Sequence, residues 1–323
     1  MKARLSAAVV AVVLAWWAAP ARAAEPNWPD TLTLATASPG GTYHVYGAGL
    51  ARMLTRVLGV PVATRATEGP SQNILLIEAG EAQLGFVTMG VALQAWNGTG
   101  DWTNGRRYRA ARAMFPMYDT PFQFVVRPDS PVRSLADLAG KRVGVGPHGG
   151  TAGTYVPAFF RTLKIEAALA HGTWEELAAQ VEARSLDGLA AAAGVPFPAV
   201  AALDAKRLVR SVPLTPEQIV ALRLAMPELT ASVIPPGTYP SLNRGYATVG
   251  LYNFAVARED LPADLVYRIV DAVFGRHEEM LEIHPAAAAT VPSNFGRNGF
   301  LPYHAGAVRY YGNKLPSDVL PAD

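Results

Sequence analysis

The sequence predicts an α/β protein built as two similar lobes that face each other across a cleft. Three observations carry this. Short apolar strands alternate with amphipathic helices along the 323 residues, and such alternation builds parallel sheets. A strand that enters a glycine turn and then a helix occurs twice, at Ala35-Thr36-Ala37-Ser38-Pro39-Gly40-Gly41-Thr42-Tyr43 and around Gly146-Pro147-His148-Gly149-Gly150-Thr151-Ala152-Gly153-Thr154. Two long strands, near residues 122–126 and 248–257, are placed to carry the chain out of one lobe and back.

The chain begins with an export signature. Lys2 and Arg4 precede an apolar run from Ala7 to Ala19, and Ala21-Arg22-Ala23 fits the small-x-small cleavage rule. The run falls short of the ~20 residues that span a bilayer; an uncleaved anchor is the alternative. Cleavage after Ala23 removes Lys2, Arg4 and Arg22 from the 28 basic side chains, leaving 25 against 26 acidic. The full chain's charge of +2 is therefore no argument for nucleic acid. Cysteine is absent, which excludes disulfides, thiolate zinc sites and a lipid-bearing cysteine at the cleavage site. A freely diffusing exported protein fits the periplasm. About 300 mature residues, half of them hydrophobic in the full chain, can fill two cores.

Each element has a local cause. Leu32–Thr36 reads as a strand. Thr42–Leu58 reads as a helix, with Val45, Gly49, Met53 and Val57 near one face. Val60–Thr67 is a strand. Ser71–Ala79 is a helix capped by Ser71, and Leu84–Val87 is the third strand. This βαβαβ order gathers loops at the strand C-termini, the edge where open α/β sheets hold ligands. Ser134-Leu135-Ala136-Asp137 is a capping box. Arg142–Val145 is a strand, followed by the second glycine turn and a helix to about Leu163. Asp187–Ala193 and Lys206–Pro213 read as strands. Thr215-Pro216-Glu217-Gln218 opens a helix with a capping threonine and an early proline. Ile234-Pro235-Pro236-Gly237 is a turn, and Pro262–Phe274 is a helix.

Several of these residues carry a family resemblance. Gly40-Gly41-Thr42-Tyr43, Asn73, the run Gly80-Glu81-Ala82-Gln83-Leu84-Gly85-Phe86-Val87 and Gln94-Ala95-Trp96-Asn97-Gly98 resemble the TAXI family, the solute receptors of TRAP-type transporters. The likeness continues through Ile234–Pro240, Leu265-Val266-Tyr267 and His304–Tyr311, and covers essentially the whole mature chain. It implies a type II periplasmic binding-protein fold. It also implies capture of small organic acids or amino acids and delivery to an ion-gradient-driven membrane permease. The chain departs from the family pattern in places. Pro70 stands where a ligand-facing serine is common, and Thr88-Met89-Gly90 replaces Gln-Ser-Asp, removing an acid that could pair with a substrate amine. Gly149-Gly150-Thr151-Ala152-Gly153-Thr154 replaces a Gly-Ser-Gly-Thr turn. A carboxylate or a less charged solute is favoured over an amino acid.

The ligand-binding residues expected from these readings are Gly41, Thr42, Tyr43, Arg65, Asn73, Thr88, Met89, Gly150, Thr151, Thr154 and Asp187. A strand–glycine turn–helix start aims bare N–H groups at one place, backed by the positive helix end, and so suits a small anion; a plain tight connection reads the same. Arg65 is the natural bidentate carboxylate anchor, at the strand end that feeds the second loop. Asn73 could read a polar solute or satisfy backbone. Met89 is pocket wall or core filler. Asp187 faces the cleft or is a solvated turn.

Catalytic signatures are missing from the sequence: no Gly-x-Ser-x-Gly elbow, no Walker sequence, no His-Glu-x-x-His. No metal or cofactor is expected. His277 and His284 lack a third ligand, and Arg106-Arg107-Tyr108-Arg109 is too short for a nucleic-acid surface. The expected organisation is a signal at 1–23, one lobe from 24–124 plus 250–323, and a second from 125–249. The expected function is capture of a small organic acid or amino-acid-like solute, a carboxylate, between the lobes and its delivery to TRAP-type permease subunits. An enzyme on the same fold and a ligand receptor for a sensor protein are the alternatives.

Overall fold

The computed structural model describes residues 27–314; the expected export signal and its cleavage site lie outside them. The first half-sheet comes from β1 (Leu32–Ala35), α1 (Thr42–Leu58), β2 (Val62–Arg65), α2 (Pro70–Glu78), β3 (Leu84–Thr88) and α3 (Met89–Asn97). A long strand, β4 (Ala111–Val126), leaves it. The second half-sheet holds β5 (Arg142–Gly144), α4 (Thr151–Thr162), β6 (Ala168–Ala170), α5 (Trp174–Glu182), β7 (Gly188–Ala192), α6 (Pro198–Ala205), β8 (Arg210–Ser211) and α7 (Pro216–Ala225). The chain returns through β9 (Thr230–Ile234) and β10 (Tyr246–Arg258). It closes with α8 (Ala263–Gly275), α9 (His277–Ile283) and α10 (Ala305–Lys314).

The strands join in the order β2-β1-β3-β10-β4-β7-β5-β6, with β8 on β4 and β9 on β10. Pairs within each half are parallel: β1 with β2 and β3, and β5 with β6 and β7. The two long strands run antiparallel to them and to each other. β4 is the crossing. Its residues up to Pro121 pair with β10, and from Phe122 to Val126 it pairs with β7. One strand thus belongs to both half-sheets, and the strand ends of both halves meet where it changes partner.

The sequence reading of this order holds, with corrections. α1 has the expected bounds, ended by Gly59 in the left-handed conformation, but its buried stripe runs through Tyr43, Tyr46, Leu50 and Leu54, while Val45 is exposed. Ser71 is not a cap. Gly69 occupies that position and Ser71 is the second residue of the helix, its hydroxyl donating to the Gly149 carbonyl at 3.1 Å. Met89 opens a helix, α3, that the sequence reading did not include. The expected strand over Lys206–Pro213 shrinks to the two residues of β8. β4 is far longer than the apolar core of Phe122–Val126 indicated. Its earlier part contains Pro116, accommodated where the pairing slips between Tyr252 and Phe254. The capping boxes at Ser134 and Thr215 are present. The interior forms two apolar clusters. Tyr46, Leu50, Phe115 and Ile269 meet under α1 and α8; the other runs from Ile77 and Val87 through Phe122 to Phe159 and Leu189.

Candidate functional site

Four helices start at one cavity. The N-cap residues Gly41 of α1, Gly69 of α2, Thr88 of α3 and Gly150 of α4 all line it. None of the four caps its helix with a side chain. Glycine has no side chain to do so, and the Thr88 hydroxyl turns instead to that of Thr151, 3.2 Å away. The first N–H groups of a helix have no intrahelical acceptor, and the helix end carries about half a positive charge. In α2 the first two positions offer no open donor. Pro70 has no N–H, and the Ser71 N–H donates to Gly149 O at 3.2 Å. The ends of α1, α3 and α4 therefore supply the cavity's positive potential. Two glycines are required by shape: Gly40 adopts φ +82°, and Gly69 adopts φ +136° with backbone of Gly149 and Gly150 within 2.9 Å of where a Cβ would stand.

The walls are laced together across the seam. The Thr42 hydroxyl donates to Gly194 O at 2.9 Å. The Gly149 N–H donates to the Glu68 carboxylate at 3.0 Å. On the hinge side the Tyr43 hydroxyl donates to Asn253 Oδ1 at 2.5 Å, and Asn253 Nδ2 donates to Tyr118 O and Thr120 Oγ1, each at 2.6 Å. Burial pushes the Tyr43 phenol well above its ordinary pKa, so it is a neutral donor. Trp174 closes the outer side. Its ring lies against Gly146, near Gly40 and Gly41, and edge-on to Phe197 at 5.0 Å. The space between the walls, counted with the part open to solvent, is about 430 Å³. The lining has no Lys, Arg or His. Glu68, exposed on the rim, is its one charged residue.

Of the residues expected from sequence, Gly41, Thr42, Tyr43, Thr88, Gly150 and Thr151 line this cavity. The others lie elsewhere. Arg65 ends β2 and pairs with Glu81 at 2.9 Å on the surface. Asn73 is buried behind the wall, donating to Thr36 O and Phe86 O and accepting from Thr67 Oγ1. Met89 is in the core. The Thr154 hydroxyl donates back to Gly150 O within α4. Asp187 precedes β7 and binds Arg142, through its N–H at 2.8 Å. It stands at the strand's N-terminal end, about 17 Å of strand away from the cleft edge.

The sequence reading did not name Trp174, Gly194, Phe197, Thr120 or Asn253 as site residues. Gly194 and Phe197 follow the C-terminal end of β7, where a ligand edge is expected, so strand direction could have found them. Nothing local marks Trp174 or Asn253.

The pattern that defines the NMT1-like family matches residues 34–314. Among solved structures, MatC from Rhodopseudomonas palustris with bound malate aligns at a TM-score of 0.57 and 14% identity, over 81% of this chain and 90% of that one. The periplasmic binding protein BugD gives 0.56 at 13% identity, over 82% and 89%. A further structure of a periplasmic transporter gives 0.54 at 16% identity, over 81% and 87%. At such identities the likeness is one of fold: a two-lobe type II periplasmic binding-protein fold with a hinge and a central cleft.

Proposed function

The chain belongs to the NMT1-like family, and from that premise we propose that it is an exported receptor that captures a small organic acid between its lobes. The observation that carries this is the convergence of uncapped helix starts at Gly41, Thr88 and Gly150 on one cavity. Such ends hold anions through N–H groups and dipole together. A carboxylate needs no arginine there. MatC, of the same fold, holds malate.

The proposed lobes are 24–124 with 250–323, and 125–249, joined where β4 changes partner at Pro121 and Phe122. Solute binding then works by hinge closure. The solute touches both walls only when they meet, so it binds the closed form more tightly and shifts the balance toward it. The resemblance to TAXI receptors makes a TRAP-type permease, driven by an ion gradient, the partner that accepts the solute. The cleft is a binding rather than a catalytic site. Its hydroxyls bond to one another, to backbone or to the Asn253 amide, and no histidine among the described residues stands beside them as a base.

The test is thermal unfolding of the purified protein against carboxylates, amino acids and neutral solutes, with product analysis. A carboxylate at ~100 times its dissociation constant adds ~2.7 kcal/mol and raises the melting temperature by several degrees, unchanged in chemical form. Conversion of a bound compound to product would establish an enzyme instead. Silence from every carboxylate would remove the receptor reading.

A further inference from the structure

We propose that the start of α2 is a latch that grips Gly149 and holds the two lobes together before any solute arrives. This rests on the reading of the two halves as lobes hinged along β4, and adds a device that biases the hinge toward closure.

Both backbone groups of Gly149 bond across the seam. Its N–H donates to the Glu68 carboxylate at 3.0 Å. Its carbonyl accepts from the Ser71 N–H at 3.2 Å and the Ser71 hydroxyl at 3.1 Å. Glu68 and Ser71 stand at the start of α2 in the first half-sheet, and Gly149 lies between β5 and α4 in the second. Each side of the grip is held in shape by its own lobe. The Glu68 N–H donates to Gln72 Oε1 at 2.7 Å, which fixes the loop that presents the carboxylate. The Gly150 N–H donates to Pro147 O at 3.0 Å, which closes the opposing turn on itself. The approach leaves no room for a side chain at either glycine. A Cβ on Gly69 would stand 2.9 Å from Gly149 O and from Gly150 Cα, and a Cβ on Gly149 would stand 2.9 Å from Glu68 Cβ and 3.0 Å from Ser71 Oγ.

None of the three bonds needs a solute. The cavity lining includes neither Ser71 nor Gly149, and Glu68 stands only at its rim. The bonds therefore form whenever the walls meet, and each favours the closed form by roughly fivefold. The closed form is populated in the free protein, and the solute completes a shift that α2 has begun. Less of the solute's binding energy is then consumed in bringing the lobes together.

The experiment is small-angle X-ray scattering, with Trp174 emission as a second readout, on solute-free protein unfolded and refolded to remove any co-purified molecule. The test variant is the double substitution Glu68→Ala and Ser71→Ala. It deletes two of the three bonds without introducing a clash, at an exposed residue and at a helix position that favours alanine. Its closed-to-open ratio should fall roughly 20-fold, read as a larger radius of gyration and a red-shifted emission than wild type, with unfolding still cooperative. Gly149→Ala is the control for the hinge. Gly149 is not left-handed, so its own lobe accepts the methyl group, while the three nearest atoms it would meet belong to Glu68 and Ser71 of the other lobe. The methyl group wedges the seam whatever the bonds contribute. If Gly149→Ala opens the protein and the double variant stays as compact as wild type, the latch is wrong and the hinge stands. If neither variant changes either readout, the lobes do not part and both readings fall.

Discussion

The Thr42 hydroxyl reaches across the cleft to the carbonyl of Gly194, 2.9 Å away and 152 residues distant in sequence. Thr42 opens α1, and Gly194 follows β7 in the opposite half-sheet. The bond therefore exists only when the walls meet. A buried neutral hydrogen bond contributes about 1 kcal/mol net. Thr42→Val keeps the side-chain shape and removes the bond. The expected outcome is roughly fivefold weaker solute binding, measured by calorimetry, with a nearly unchanged melting temperature in the absence of solute. Unchanged affinity would mean that this bond does not hold the closed form.

Trp174 reports the same closure optically. It is 7% exposed, wedged against Gly146 and Phe197, while the other described tryptophans, Trp28, Trp96 and Trp102, lie outside the cleft lining. Opening wets the indole and closing dries it. Adding the solute should therefore shift the emission to the blue, and Trp174→Phe should abolish the shift while the other tryptophans still emit. A full shift retained in Trp174→Phe would place the conformational change elsewhere.

What the sequence disclosed follows from how local each signal is. The bounds of α1 were legible because its start is a glycine turn and its end is Gly59, left-handed in the fold, both written in the chain beside it. The glycine turns showed the cavity for the same reason: backbone donors depend on turn chemistry, not on distant partners. Trp174 and Asn253 were illegible because their roles depend on which strands neighbour each other, and β10 lies between β3 and β4 through pairings that span more than a hundred residues. Asp187 was misplaced because a strand has two ends, and only its C-terminal end faces the ligand edge. α3 was missed because Thr88, a cap-type residue, has Val91 rather than Glu or Gln at the third helical position to complete a capping box, and Gly90 follows at once.

Asn73 and Arg65 should separate cleanly in a mutational test. Asn73 is completely buried and makes three side-chain bonds, donating to Thr36 O at 2.8 Å and Phe86 O at 2.9 Å and accepting from Thr67 at 2.7 Å. Asn73→Ala removes all three bonds; the Thr67 hydroxyl can still donate to Thr36 O at 3.2 Å, but Phe86 O loses this donor, and a buried group left unsatisfied costs about 1–3 kcal/mol on top of the space that the amide filled. A total near 3 kcal/mol lowers the melting temperature by roughly 6–12 °C. The Arg65–Glu81 pair is exposed on both sides and is worth at most about 1 kcal/mol. Arg65→Ala should leave stability within about 1 kcal/mol and solute affinity unchanged. Lost binding in Arg65→Ala, with the fold intact, would return the arginine to the site and displace the helix starts as the anion's sole holders.

Asp119 makes stability depend on pH at the hinge. It lies opposite Tyr252 where β4 and β10 pair. One carboxylate oxygen accepts from the Ser232 hydroxyl; the other is buried without a partner, packed onto Gly250. Burial pushes its pKa up, outweighing the Ser232 hydrogen bond and the Arg297 charge, which pull it down. The folded chain therefore holds this proton at pH values where the unfolded chain has released it. Stability falls as pH rises from the ordinary carboxylate range through the folded-state pKa. Asp119→Asn removes that titration. Urea unfolding of both proteins across pH should show the variant gaining on the wild type as pH rises through this window. The fixed cost of the new amide offsets the two curves but leaves their difference in slope intact. Parallel curves would mean that folding leaves the Asp119 pKa unchanged, and a wild type that gains on the variant with rising pH would mean that the hinge stabilises the charged carboxylate.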